Sequence, residues 1–129
     1  MDWRWLLLSF EGRINRAKFW LGFLLLMAVY LVTYVIIGVA FGGTFYDDSG
    51  IPQVSGTAWA LVIVLWLAGL YMSLAIYAKR WHDRDKSGWW TLIVFVPIIG
   101  SIWLLVECGC LPGTDGPNQY GPDPLAGER

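Results

Sequence analysis

The only histidine in the chain, His82, stands directly before Asp83 and five residues before Ser87. A histidine titrates near neutral pH, so the pair could carry out general acid–base chemistry on a lipid headgroup. No second histidine or activated nucleophile accompanies it, and the pattern is more typical of an interfacial loop whose acidic residues pair with Arg80 and Arg84. We therefore expect no enzyme activity here, and Ser87 is interpreted as a helix N-cap.

A second group of residues that could carry out chemistry is the sequence Cys108-Gly109-Cys110. Structural zinc sites use three or four ligands, commonly from two cysteine pairs, and this chain has one pair with a one-residue gap. Two thiols are also too few for a disulfide framework. We expect buried or interfacial thiols, with intermolecular pairing left open if they face an oxidising compartment. The sequence predicts no metal ion and no cofactor.

The composition indicates which solvent surrounds these residues. The 129 residues are 57% hydrophobic and only 15% charged, whereas an average soluble domain has about 25% charged residues. The formal net charge of −1 provides no basic field for nucleic acid. These values predict a small membrane protein of one domain that does not bind nucleic acid.

Three apolar stretches are long enough to form membrane-spanning helices, which need roughly 20 residues each. Each is apolar on all sides, unlike the amphipathic helix of a soluble protein. We therefore predict an all-α membrane protein with three transmembrane helices plus a short N-terminal interfacial helix. The predicted organisation is one membrane domain over residues 1–129, with an interfacial segment at 1–18, spans at about 19–41, 58–78 and 89–107, and a turn-rich tail at 108–129.

Lysine and arginine alternate along the chain. Four precede the first span, none lies in the loop 42–57, which carries Asp47 and Asp48, four follow the second span, and only Arg129 follows the third. Because positively charged residues resist translocation, this pattern predicts a cytoplasmic N-terminus and a periplasmic or extracellular tail.

The third span contains Pro97 and Gly100 at its midpoint. Proline lacks a backbone donor, so the helix could be kinked there and still cross. Alternatively, the segment could turn back as a re-entrant hairpin, which would return the tail to the cytoplasmic side. Half-segments of about eight residues reach only about 12 Å. The scarcity of positive charge in the tail favours the kinked crossing.

Four motifs occur in order around the three apolar stretches and cover nearly the whole chain. Their residues are Gly12, Arg13, Arg16, Phe19 and Trp20; Arg80, His82, Asp83 and Ser87 to Trp90; Pro97 and Gly100; and Cys108, Gly113, Thr114, Gly116, Asn118 and Tyr120 to Pro124. These motifs resemble those of the bacterial inner-membrane family called domain of unknown function 805. Lys79 and Trp81 depart from its pattern, since the family often has arginine and leucine there. The resemblance implies a small multispanning protein of the bacterial inner membrane and supplies no reaction, ligand or catalytic residue.

The leading functional hypothesis is a non-enzymatic module whose cationic, indole-rich cytoplasmic collar binds anionic lipid headgroups or a membrane-protein partner. Each basic residue near an anionic surface contributes about 1 kcal/mol. The alternatives are a lipid-modifying enzyme using His82 and Asp83, and a small transporter or channel subunit. Transport is disfavoured because no ionisable residue lies near the middle of a span. The candidate headgroup or partner contacts are Arg13, Arg16, Lys18, Arg80, His82, Asp83, Arg84, Lys86, Ser87 and Trp89.

Small residues four apart allow close approach between membrane helices. Gly38 and Gly42 form such a pair in the first span, and Gly69 and Ser73 form one in the second. The contact could lie within one chain or between two chains, so homo-oligomerisation stays open.

Overall fold

The computed structural model describes residues 2–41, 45–46, 48–50, 52–53 and 56–127. Gly42, Asp47 and Arg129, which enter the predictions on helix contacts and loop charge, lie outside these ranges. The described elements are mainly helical. They are α1 (Trp3–Leu8), α2 (Arg16–Phe41), the two-residue strands β1 (Phe45–Tyr46) and β2 (Pro52–Gln53), α3 (Gly56–Asp83), a 3₁₀ helix (Gly88–Phe95), α4 (Ile99–Leu105) and a π-helical turn (Val106–Cys110).

Helices α2 and α3 are long and apolar enough to cross a membrane. With 26 and 28 residues, each extends about 40 Å at about 1.5 Å per residue, which exceeds a hydrocarbon core of about 30 Å. Their most apolar windows have mean hydropathies of 2.5 and 2.2, and only 6% and 17% of those windows is buried. A core helix of a soluble protein would be mostly buried. Both helices match the first two predicted spans.

Helices α2 and α3 pack against each other through glycine. A Cβ atom added at Gly69 would overlap the hydroxyl of Tyr30, and that hydroxyl donates to the Leu65 carbonyl at 3.0 Å. The predicted close approach at Gly69 is therefore a contact within the chain. Gly38 has open space around it.

The third apolar segment forms a hairpin, and the predicted third crossing is not confirmed. The 3₁₀ helix and α4 lie side by side so closely that a Cβ atom at Gly100 would overlap the Ile93 carbonyl oxygen. Between them, Ile98 has a φ of +66° and the Ile99 amide donates to the Pro97 carbonyl at 2.7 Å. Proline disfavours a helical conformation for the preceding residue, which ends the 3₁₀ helix. At about 2.0 Å per residue its eight residues reach about 16 Å.

The hairpin, defined as residues 88–110, returns the tail to the N-terminal segment. The Thr114 amide donates to the Asp83 carbonyl at 2.7 Å, and the Arg13 guanidinium donates to the Gly116 carbonyl at 2.7 Å. The tail and the N-terminal segment therefore meet at one end of the α2–α3 pair, whereas the predicted topology puts them on opposite sides of the membrane. Backbone carbonyls of the tail accept hydrogen bonds from cations elsewhere in the chain.

The buried core lies at this end of the α2–α3 pair, which we call the ionic end. The predicted N-terminal helix is present as α1, and the Asp2 carboxylate caps it by accepting from the Arg4 amide at 3.0 Å. Helix α1 contributes Leu6 to the core, while Trp3 is 44% exposed. The core cluster comprises Leu6, Ile14, Phe19, Leu26, Ile76, Trp81, Leu104 and Cys108.

Candidate functional site

Asp83, the last residue of α3, is the centre of a buried ionic cluster. Its carboxylate accepts hydrogen bonds from the Arg13 Nε at 3.1 Å and from Arg80 at 2.5 Å, and the side chains of all three are at most 2% exposed. Removing a charge from water costs several kcal/mol per ion, so a buried carboxylate needs both cationic partners and complete hydrogen bonding. We define the ionic cluster as Arg13, Lys79, Arg80 and Asp83.

Arg13 connects this cluster to the C-terminal tail. Besides Asp83, its guanidinium donates to the carbonyls of Thr114 and Gly116, both at 2.7 Å, and of Gly121 at 3.3 Å. The rigid fork of guanidinium donors suits such a set of acceptors. All three of its nitrogens therefore have acceptors inside the protein.

Arg80 and Lys79 hold the two remaining chain segments at the ionic end. Arg80 donates through Nε to the Cys108 carbonyl at 2.6 Å, at the end of the hairpin. The Lys79 ammonium donates to three carbonyls at the end of α1, at 2.5 to 2.7 Å. The last carbonyls of a helix have no partners within the helix and carry partial negative charge. Lys79, one of the departures from the family pattern, therefore anchors α1.

His82 has different partners from those of Asp83. Its Nδ1 lies 3.0 Å from the Gly12 carbonyl oxygen, and because a carbonyl only accepts, Nδ1 carries the hydrogen. The ring stacks on Tyr120 with centroids 4.0 Å apart, and the His82 carbonyl accepts from Asn118 at 2.9 Å. The carboxylate of Asp83 is engaged by arginines, so the two residues do not form a catalytic dyad.

Glu107, at the end of the third predicted span, is the centre of a second ionic contact that the sequence did not indicate. Its carboxylate accepts from Lys86 at 2.6 Å, from Trp103 at 3.0 Å and from Arg84 at 3.4 Å. Burial alone would raise the pKa of Glu107, but the hydrogen bonds from Lys86 and Trp103 and the nearby positive charges hold it below its ordinary value. The available signal was a single carboxylate at the end of an apolar stretch.

Four further cations form what we call the rim: Arg16, Lys18, Arg84 and Lys86. Arg16 is exposed and the other three are half-buried. Arg16 donates to the Cys110 carbonyl at 2.9 Å, and Arg84 donates to the Pro112 carbonyl at 2.6 Å. The rim therefore keeps contact with water while it supports the tail.

The ten predicted contact residues thus separate into two groups. Arg13, Arg80 and Asp83 are buried and bonded within the protein, so they are not available to lipid headgroups. The rim cations, His82, Ser87 and Trp89 reach the surface. Ser87 caps a helix as predicted, since its Oγ accepts from the Trp89 amide at 3.3 Å, although the helix is 3₁₀.

The two cysteines are free thiols in different environments. Cys108 is buried and Cys110 is exposed, and burial raises the pKa of Cys108 to about 12. A thiol with so high a pKa is protonated and unreactive at neutral pH. In the parts of the chain that the structure describes, no three His, Cys, Asp or Glu residues are grouped to hold a metal ion.

A groove of about 420 Å³ lies between the end of α3 and the first arm of the hairpin. The hairpin can approach α3 closely because of Gly88, where an added Cβ atom would come within 2.8 Å of the Ala78 Cβ. The groove is lined by Phe10, Leu74, Ala78, His82, Ser87, Gly88, Trp89, Thr91 and Leu92.

Comparison with known proteins places the chain in a family. Residues 7–122 match the family described as "Protein of unknown function (DUF805)". The inner membrane protein YhaH of Escherichia coli K12 is 30% identical over 96% of this chain and 97% of its own length. The inner membrane protein YhaI of the same strain is 35% identical over 94% of this chain and 90% of its own length.

The uncharacterized protein YiiR of this strain is 28% identical over 91% of this chain and 86% of its own length. No solved structure matches the chain. The four motifs, the extent of the family match and the two apolar helices agree with one another. The chain therefore belongs to the DUF805 family of proteins of unknown function and is, like YhaH and YhaI, a bacterial inner-membrane protein.

Proposed function

We propose that the protein crosses the inner membrane twice and presents a single cytoplasmic face that binds anionic lipid headgroups. The observation that carries this proposal is the position of the cations. Of the 9 lysines and arginines, all except Arg129 belong to the N-terminal segment, the start of α2 or the 79–86 segment, which meet at the ionic end. Segments rich in lysine and arginine stay in the cytoplasm.

Two crossings and a re-entrant hairpin account for this distribution. The tail follows the hairpin back to the ionic end, so the N-terminal segment, the 79–86 segment and the tail share the cytoplasmic side. The loop between α2 and α3, with Asp48 exposed, then lies on the periplasmic side. A loop without lysine or arginine is the kind that is translocated readily.

The rim supports binding to anionic headgroups. Arg16, Lys18, Arg84 and Lys86 reach the protein surface. The Lys86 ammonium lies 5.1 Å from the ring centroid of Trp90, which is 43% exposed, and indoles favour the headgroup region. Each cation contributes about 1 kcal/mol near an anionic surface. Glu107 offsets part of the charge of Arg84 and Lys86, so Arg16 and Lys18 make the larger contribution.

To test this function, phosphatidylglycerol retained on the purified protein is quantified by mass spectrometry after exposure to mixed neutral and anionic vesicles. The double variant Arg16→Gln/Lys18→Gln is expected to retain several-fold less phosphatidylglycerol, and added salt should reduce retention by the unchanged protein. The control is Asp48→Asn, which changes charge at the opposite end. Equal retention by the double variant and the control would contradict a headgroup-binding rim.

A further inference from the structure

We propose that the groove between α3 and the hairpin binds a single-chain lipid whose headgroup is uncharged and carries hydroxyls, such as a monoacylglycerol. This site is separate from the rim, because no rim residue lines the groove. Its volume of about 420 Å³ falls within the range of about 300–1,000 Å³ for small-molecule sites.

Three of the residues that line the groove have polar side chains: Thr91, His82 and Ser87. Thr91 is only 8% exposed, and its Oγ1 has no hydrogen-bond partner within the described residues. A buried hydroxyl without a partner is unfavourable, so such a group calls for an explanation, for example an absent ligand. Thr91 therefore supplies both a donor and an acceptor that nothing described in the protein uses.

His82 and Ser87 extend this polar set. Because the His82 Nδ1 hydrogen is held by the Gly12 carbonyl, Nε2 of the neutral ring is an acceptor. That nitrogen lies 3.8 Å from where a Cβ of Gly88, which also lines the groove, would be. Ser87 accepts from the Trp89 amide, which leaves its own hydrogen to donate. A glycerol head, with adjacent hydroxyls, both donates and accepts and so matches this set.

The rest of the groove is apolar and opens toward lipid. Phe10, Leu74 and Leu92 line it and are 39%, 37% and 53% exposed. They belong to a protein surface that faces hydrocarbon in the proposed arrangement, so an acyl chain can enter from the bilayer. None of the lining residues is Lys, Arg, Asp or Glu, so a phosphate or carboxylate would find no counter-charge there.

The test measures crosslinking of the full-length protein in detergent to a photoreactive monoacylglycerol. Thr91→Val removes the hydroxyl while keeping the shape of the side chain, and we expect about fivefold to tenfold weaker binding. The thermal unfolding midpoint should stay the same or rise, because the lost hydroxyl had no partner within the described residues. The matched control is Thr33→Val, since the Thr33 hydroxyl already donates to the Val29 carbonyl at 2.7 Å away from the groove.

Filling the groove provides a second, independent variant. Leu92→Trp should abolish crosslinking, whereas Leu67→Trp, at a residue that is also 53% exposed but does not line the groove, should leave it unchanged. Unchanged crosslinking in Thr91→Val or in Leu92→Trp would overturn the proposal.

Competing lipids test the stated chemistry. We expect unlabelled monoacylglycerol to compete, and lysophosphatidylglycerol and diacylglycerol to compete at least tenfold less well. Equal competition by lysophosphatidylglycerol would overturn the proposal that the headgroup is uncharged. Equal competition by diacylglycerol would overturn the proposal that the ligand has a single acyl chain. The rim variants should leave monoacylglycerol binding intact, so failure of the headgroup-binding proposal and failure of this one are distinguishable.

Discussion

Asp83 joins three segments that are far apart in the sequence. Its carboxylate accepts from Arg13 and Arg80, and its backbone carbonyl accepts from the Thr114 amide. The ring of the neighbouring His82 is instead held by its hydrogen bond to the Gly12 carbonyl and by stacking on Tyr120. At the scale of residues, the motif that looked most like a catalytic pair is explained by its role in holding the chain segments together.

Replacing Asp83 with asparagine should therefore cost much stability. Asp83→Asn would leave Arg13 and Arg80 as buried cations without a counter-charge, and breaking a buried ion pair costs about 3–5 kcal/mol. The measurement is denaturant unfolding in detergent. Asp85→Asn is the matched control, because Asp85 is exposed with a φ of +59° that asparagine tolerates. Equal loss of stability in the two variants would contradict the central role of Asp83.

At the scale of elements, the hairpin differs most from the sequence-based prediction. Length and hydropathy predicted α2 and α3, since an uninterrupted apolar helix is a local property. Residues 89–107 met the same length criterion, but Pro97 ended one helical arm and Gly100 allowed the second to lie against it. A sequence shows that a proline interrupts a helix. Whether the chain continues in the same direction or turns back after the proline depends on contacts such as the one between Gly100 and Ile93.

The close contact between the two arms predicts the effect of a small change. Gly100→Ala would bring a Cβ into the Ile93 carbonyl, which is backbone and cannot move aside, so we expect a loss of about 1–3 kcal/mol. Gly38→Ala is the control, because nothing lies within 4 Å of that position and alanine favours a helix. Both are measured by unfolding in detergent. If the segment were instead a kinked helix that crosses the membrane, Gly100→Ala would cost as little stability as Gly38→Ala.

At the scale of the whole molecule, the tail lies at the ionic end, although its charge count predicts the opposite side of the membrane. The tail has few lysines and arginines, and that scarcity predicted translocation. What the tail contributes to the ionic end is hydrogen-bond acceptors. The Arg13 guanidinium donates to the carbonyls of Thr114 and Gly116, which lie about 100 residues later in the sequence. Because every residue has a backbone carbonyl, no pattern of residue types predicts these hydrogen bonds between Arg13 and the tail. The residues involved, Arg13, Thr114 and Gly116, nevertheless all belong to the four motifs.

The most direct test of the two-crossing arrangement is labelling of single cysteines with a membrane-impermeant maleimide, on a Cys108→Ser/Cys110→Ser background. Glu11→Cys, Gln119→Cys and Asp48→Cys introduce the thiol at exposed positions in the N-terminal segment, the tail and the loop between α2 and α3. We predict that residues 11 and 119 react only in inverted membrane vesicles and that residue 48 reacts in intact spheroplasts. Reaction of residue 119 from the periplasmic side, together with residue 48, would show a third crossing and contradict the account.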